Sequence, residues 1–403
     1  MDMSIKPFKA NILAEKIDAV KKKLSLAEFP EESQLTDSWD YGAPVSHVKR
    51  LAKYWQDGFD WRAQEANLNT MPQFTTKIDM DEFGELEIHF VHKKSGKPGA
   101  IPLLFCHGSK ILPLLTAPES GPAFDVVAPS VPNFGFSQGP SKPGFGIVQY
   151  ATCMHRLMLR LGYGKHVLIR WRNNQLRRAG DWGFSIMRFM GILFPDHCLA
   201  SHLNYVWAFP PTLRKDGLRL YLEYLKPLSA RERAGVARSQ WFMTEGFGYN
   251  TEQSTRPATV GLAHADSPVA LLAWIYEKLH DWTDAYPWTD DEVLTWVSVY
   301  WFAAARPAAA ARIYYETTHP RKDARLFAYN APVKLGVSVF PKDLVVWPAC
   351  YAKTLGPVVF QKFHDEGGHF AAHEKPRLLV EDLRAMFGKG GGAFDVARVF
   401  QGK

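Results

Sequence analysis

The sequence predicts an α/β fold with a mostly parallel sheet, interrupted by one helical block. Three observations predict it. Continuous apolar runs such as Ile101-Pro102-Leu103-Leu104-Phe105-Cys106 suit strands buried on both faces. Between about 100 and 205 such runs alternate with helix-length stretches. The alternation then stops over 206–328, where the chain is helical and aromatic-rich, and resumes near Val333.

The elements follow in order. Residues 1–95 are rich in tryptophan and charge. Within them 17–26 and 48–55 read as helices, and 74–78 and 86–92 as strands joined through Asp81-Glu82-Phe83-Gly84. In 96–205, strands are expected at 101–106, 124–129 and 166–169, and helices at 147–161 and 184–194. In 206–328 one helix is expected over 290–305, with Thr289 as its N-cap. In 329–403 strands are expected at 333–340 and 358–360, then a final helix at 375–387 and a flexible glycine turn at 388–392.

Composition narrows the function. A hydrophobic share of 46% and a charged share of 22% are those of a globular protein. No apolar run reaches the roughly 18 residues needed to span a bilayer, and Met1 to Ala10 lack the apolar core of a signal peptide. Cys106, Cys153, Cys198 and Cys350 are scattered without metal-ligand spacing. Buried reduced thiols, no metal and a cytoplasmic location are therefore expected. The net charge is +7, and more than half of that excess is Arg170, Arg172, Arg177 and Arg178. With no nucleic-acid signature beside it, that local cluster does not argue for nucleic-acid binding.

The chemistry concentrates in Ala179-Gly180-Asp181-Trp182-Gly183-Phe184. Small residues around a central side chain suit a sharp strand-to-helix turn that presents a nucleophile. Serine there would suggest an esterase; aspartate suggests a covalent ester to an alkyl carbon. An α/β-hydrolase arrangement places nucleophile, acid and histidine in that chain order, each after a strand. Asp181, Asp343 in Phe340-Pro341-Lys342-Asp343, and His369 in Gly367-Gly368-His369-Phe370 fit that order. The paired glycines let the loop bring the ring close to neighbouring backbone. His364 and His373 are the competing histidines, without paired glycines before them.

These motifs resemble the microsomal-type epoxide hydrolases of fungi, over almost the whole chain. Trp39-Asp40-Tyr41-Gly42, Phe59-Asp60-Trp61-Arg62 and Pro72-Gln73-Phe74 resemble that family's N-terminal domain. Asp125-Val126-Val127-Ala128-Pro129-Ser130, Pro132-Asn133-Phe134-Gly135-Phe136-Ser137, Gly180-Asp181-Trp182-Gly183 and Gly367-Gly368-His369-Phe370-Ala371-Ala372 follow its core motifs. The resemblance implies an α/β-hydrolase core at 96–205 and 329–403, a helical cap at 206–328, and an N-terminal region at 1–95 that wraps over both. It implies no organic cofactor and a small apolar epoxide and water as reactants. A homodimer is compatible with the sequence. By resemblance, Asp181 attacks an epoxide carbon, and Tyr249 and Tyr314 hydrogen-bond the epoxide oxygen. His369, oriented by Asp343, then activates water against the ester. Tyr315, adjacent to Tyr314, competes for its role, and helical phase decides between them.

The resemblance breaks in two places. The family's strand leads into His-Gly-Trp-Pro-Gly, whose amides stabilise an oxyanion; here Cys106-His107-Gly108 is followed at once by Ser109-Lys110-Ile111. Trp182 retains an amide for that role, and Ser109 is the candidate for the second. Losing one donor costs about 3 kcal/mol, a hundredfold or more in rate. The second break is the arginine-rich stretch 170–178 between the strand ending at Ile169 and the elbow. For this stretch the alternatives are a basic loop returning to the elbow, a displaced elbow, or a phosphate or carboxylate site; a gene-model error and divergence with impaired catalysis each account for both breaks. The rival functions are an ester or lactone hydrolase on the same fold and a degenerate homologue that binds an apolar ligand.

Overall fold

Buried apolar runs dictate the sheet. The computed structural model describes residues 5–105, 111–118, 120–169, 182–319 and 323–401. Among these, nine strands form one sheet: β1 (Lys6–Pro7), β2 (Gln73–Asp79), β3 (Glu85–Lys93), β4 (Ile101–Phe105), β5 (Phe124–Pro129), β6 (His166–Ile169), β7 (Cys198–Leu203), β8 (Lys334–Val339) and β9 (Val358–Phe363). Their order is β1-β2-β3-β5-β4-β6-β7-β8-β9. The first three pairings are antiparallel and the rest parallel. Every residue of β4 and of β6 is buried, as a parallel strand covered on both faces requires. Sequence reading assigned no strand to β7, where Ser201 and His202 interrupt the apolar pattern.

Helices cover both faces. The N-terminal helices are α1 (Ala14–Ser25), α2 (Val45–Asp57) and α3 (Trp61–Leu68). On α2, Val48, Leu51, Ala52 and Trp55 repeat at three and four residues and are buried. The sheet is then flanked by α4 (Leu112–Thr116), α5 (Ile147–Arg160) and α6 (Trp182–Leu193). Alternate residues of β4 face opposite ways: Leu104 packs with α5 and α6, Leu103 and Phe105 with helices from the C-terminal part.

Between β7 and β8 the chain leaves the sheet through α7 (Leu213–Tyr224), α8 (Ala230–Thr244), α9 (Gly248–Thr255), α10 (Pro257–Asp266), α11 (Pro268–Asp281), α12 (Asp290–Trp301) and α13 (Arg312–Thr318). Thr289 caps α12 through a capping box with Glu292. That helix stops at Trp301 rather than running to 305. Pro307 disfavours helix before it, and Ala304 N instead donates to the Gly135 carbonyl at 2.8 Å. Among the described residues no single helix is long and apolar enough to cross a membrane; α10 and α11 pass that test only as a pair, bent by 113°.

After β8 come α14 (Ala349–Ala352), α15 (Ala371–Glu374), α16 (Pro376–Phe387) and α17 (Phe394–Phe400). The helix at α16 is thus not the last. The intervening glycine turn is open at Gly390 and packed at its end: a Cβ on Gly391 would lie 2.2 Å from the Ala385 carbonyl oxygen, and one on Gly392 2.3 Å from that of Val359.

Arg188 on α6 ties these layers together. It is 6% exposed and donates to the carbonyls of Leu326 at 3.2 Å, Leu355 at 2.9 Å and Ala328 at 2.5 Å. Arg188→Met leaves those carbonyls without their donor. Urea unfolding is expected to show a loss on the order of 3 kcal/mol; a loss under about 0.5 kcal/mol, typical of a surface site, would show that the tie is not used.

Candidate active site

The ends of β8 and β9 carry two loops that meet. Lys342 N donates to the Gly367 carbonyl at 3.1 Å, and Lys342 forms a parallel bridge with Gly368. This brings Asp343 to His369. Their side chains are hydrogen-bonded, Nδ1 to Oδ1, and are 1% and 0% exposed. The carboxylate also accepts from Leu344 N at 2.7 Å. With Nδ1 as donor to the carboxylate, the neutral ring carries its lone pair on Nε2, as a general base needs. Arg238 reaches across from α8, donating through Nε to the Asp343 carbonyl at 3.0 Å and through a terminal nitrogen to that of Asp281 at 2.7 Å.

The helical segment between β7 and β8 forms the other wall. His369 N donates to the Trp282 carbonyl at 2.7 Å. Gly368 permits this approach, because a Cβ there would stand 2.5 Å from that same oxygen. The His369 ring lies edge-on between Trp282, at 5.6 Å, and Tyr205, at 5.8 Å. Tyr249, on α9, lies 5.5 Å from the Trp282 ring. Tyr314, on α13, stands edge-to-face on Trp182 at 5.2 Å, and Trp182 is the first residue of α6. Both tyrosines are buried.

Among the described candidates, then, His369 meets Asp343, Tyr249 is linked to His369 through Trp282, and Tyr314 covers Trp182. Asp181 and Ser109 lie outside the described residues, as do the junction after Gly108 and the stretch 170–178. The competing residues sit elsewhere. His364 pairs with Asp382 at 2.6 Å on α16. His373 stacks on Trp288 and faces Glu292 at 3.3 Å. Tyr315 is 38% exposed and stacks on His319.

A cavity of about 390 Å³ lies beside Tyr249 and Tyr314, lined by Ser185, Phe189, Trp207, Phe247 and Phe327 among others. Phe247 is in edge contact with Tyr249, and Thr318, also in the lining, donates to the Tyr314 carbonyl at 2.7 Å. The wall is mainly apolar, which suits an apolar ligand.

Residues 5–109 match the sequence profile described as "Epoxide hydrolase N terminus". The chain is 35% identical to a putative epoxide hydrolase of Stigmatella aurantiaca, over 95% of this chain and 84% of that protein. It is 33% identical to epoxide hydrolase 1 of Sus scrofa, over 96% and 89%. This chain belongs to the epoxide hydrolase family. Its fold is the α/β-hydrolase fold of that family. The structure of the Aspergillus niger epoxide hydrolase superposes with a TM-score of 0.80 at 36% identity, covering 95% of each chain. That of the juvenile hormone epoxide hydrolase from Bombyx mori gives 0.84 at 26% identity, covering 99% of this chain and 96% of that one.

Two carboxylates escaped sequence reading because no motif spacing marks them. Glu374 accepts from Gly368 N at 2.7 Å and from Asp284 N at 3.0 Å. Asp284 in turn accepts from Gly367 N at 2.8 Å. Together they lace the histidine loop to the segment after α11. Burial pushes the Glu374 carboxyl up to about 7, against the pull of its two amide donors. A folded-state value above the ordinary 4.5 means that the folded protein holds this proton more tightly. The associated stability is complete below 4.5 and is lost as pH rises through about 7. Melting temperatures of wild type and Glu374→Gln across that range are expected to show a shallower decline in the variant, which cannot ionise. Equal slopes would remove Glu374 as the source.

Proposed function

We propose that the protein hydrolyses an apolar epoxide to a vicinal diol through an ester on Asp181. The observation that carries the reading is the buried His369–Asp343 hydrogen bond beneath a cap wall containing Trp282 and Tyr249. A histidine with a carboxylate on Nδ1 is a water-activating base. A phenol is a neutral hydrogen-bond donor at pH 7, suited to an epoxide oxygen.

A carboxylate oxygen of Asp181 attacks one epoxide carbon and displaces the ring oxygen. That oxygen takes a proton from Tyr249 or Tyr314, giving a hydroxyalkyl ester. His369 Nε2 removes a proton from water while the hydroxide attacks the ester carbonyl. The tetrahedral intermediate, its oxyanion held by amides that include Trp182 N, collapses to diol and aspartate. The imidazolium proton returns to the phenolate through solvent. Asp343 stabilises the imidazolium and fixes its tautomer. Cys153, Cys198 and Cys350 are free and buried, which supports the expected reducing, cytoplasmic setting.

The test uses His369→Gln, in which attack on the epoxide proceeds but ester hydrolysis stops. After incubation with styrene oxide, intact mass should rise by one substrate, and the adduct should map to the peptide bearing Asp181. Asp181→Asn should give no adduct. Asp343→Asn should lower kcat by about 10⁴-fold. A folded His369→Gln protein that forms no adduct with any epoxide tried would refute the covalent route.

A further inference from the structure

Lys278 on α11 is 4% exposed, although nothing in the reaction above uses it. Burying an ammonium is costly, and methionine would fill the same space without a charge. The surroundings show what the charge meets. Its Nζ lies 5.2 Å from the centroid of the Tyr249 ring and 4.9 Å from that of Trp274. It also pairs with the neighbouring Glu277, whose side chain is 32% exposed. The cation therefore faces the ring of the phenol that the proposed chemistry uses as a proton donor.

We infer that Lys278 is a positioning residue for epoxide opening, its ammonium stabilising the negative charge that grows on Tyr249 as the proton passes to the epoxide oxygen. This rests on the reading of Tyr249 as a proton donor. A positive charge over the ring attracts the phenol weakly and the phenolate strongly, so it acts mainly in the transition state. It makes the phenol a stronger acid without ionising it beforehand. Ring and ammonium are held on different helices, α9 and α11, with the Trp282 ring beside Tyr249 excluding water.

Other charged and titratable groups lie on the elements packed against α9. Glu277 partly offsets the ammonium but lies nearer solvent. His264 on α10 is held down at about 4 by burial, with the Lys278 charge contributing, so it is neutral at pH 7. On α13, Arg312 and Tyr315 are exposed, Glu316 is half-buried, and Tyr314 is buried against Trp182. Among these described neighbours Lys278 is the buried cation.

The test is the single-turnover rate of ester formation with styrene oxide, followed by tryptophan fluorescence across pH. Lys278→Met is expected to slow ester formation about tenfold at neutral pH and to move its alkaline limb up by about one unit. Ester hydrolysis should be unchanged. Lys278→Arg keeps the charge and should restore most of both effects. In a Tyr249→Phe background the same Lys278 change should do nothing further. If Lys278→Met does not fold, Lys278→Gln serves in its place. An unmoved alkaline limb, or an equal loss in the Tyr249→Phe background, overturns the inference. The two readings separate cleanly. Wild-type ester formation in Tyr249→Phe defeats the proton-donor role itself, whereas a slow Tyr249→Phe with a normal Lys278→Met defeats the Lys278 inference alone.

Discussion

The hydrogen bond from His369 N to the Trp282 carbonyl, 2.7 Å long, joins a loop of the sheet to the helical segment between β7 and β8. His369 comes from the loop after β9, Trp282 from the residue after α11. No side chain sets this contact, so it depends on how closely two backbones can approach. Gly368 provides that closeness. Once the bond is made, the Trp282 indole stands edge-on to the imidazole and also borders Tyr249. The His369 imidazole and the Tyr249 phenol then border one aromatic wall. Glu374 and Asp284 repeat the tie with three further hydrogen bonds to backbone amides.

The N-terminal helices pack against the helical segment between β7 and β8. Lys23 pairs with Asp266 and Arg50 with Asp290, and Tyr54 donates to Asp291. These contacts are exposed, and such pairs contribute at most about 1 kcal/mol each. The aromatic contacts matter more. Trp55 meets Trp301 and Trp61 meets Phe302, and the exposed His280, two residues before Trp282 in the chain, stacks on Trp39 at 3.6 Å. Buried aromatic pairs contribute about 0.5–1.5 kcal/mol beyond their area. The tryptophan-rich start of the sequence is thereby connected with the placement of the Trp282 wall.

Much of this was legible in the residues alone, for physical reasons. Apolar runs marked β4, β5 and β6 because strands buried on both faces are mostly apolar, Asp125 in β5 and His166 in β6 being the exceptions. Thr289 marked the start of α12 because a hydroxyl there satisfies a free amide. Gly367 and Gly368 signalled a close backbone approach, and Gly368 makes one. Other features left no local trace. β7 is hidden by Ser201 and His202, which are buried in tertiary contacts that sequence does not display. The end of α12 depends on a hydrogen bond to Gly135, distant in the chain. Lys278, Glu374 and Asp284 look like ordinary surface charges until the fold buries them or turns them onto backbone amides.

The most direct measurement of this account is Gly368→Ala, with steady-state turnover of styrene oxide and thermal melting read on the same protein. The added methyl group must push apart the backbone atoms of Trp282 and Thr283, which lie 2.5 and 2.9 Å from it. A displacement of about 1 Å at a catalytic group costs on the order of a hundredfold in rate. The account predicts a folded protein with a loss of at least that size, and with ester hydrolysis slowed more than ester formation. A folded Gly368→Ala protein with wild-type turnover would contradict it.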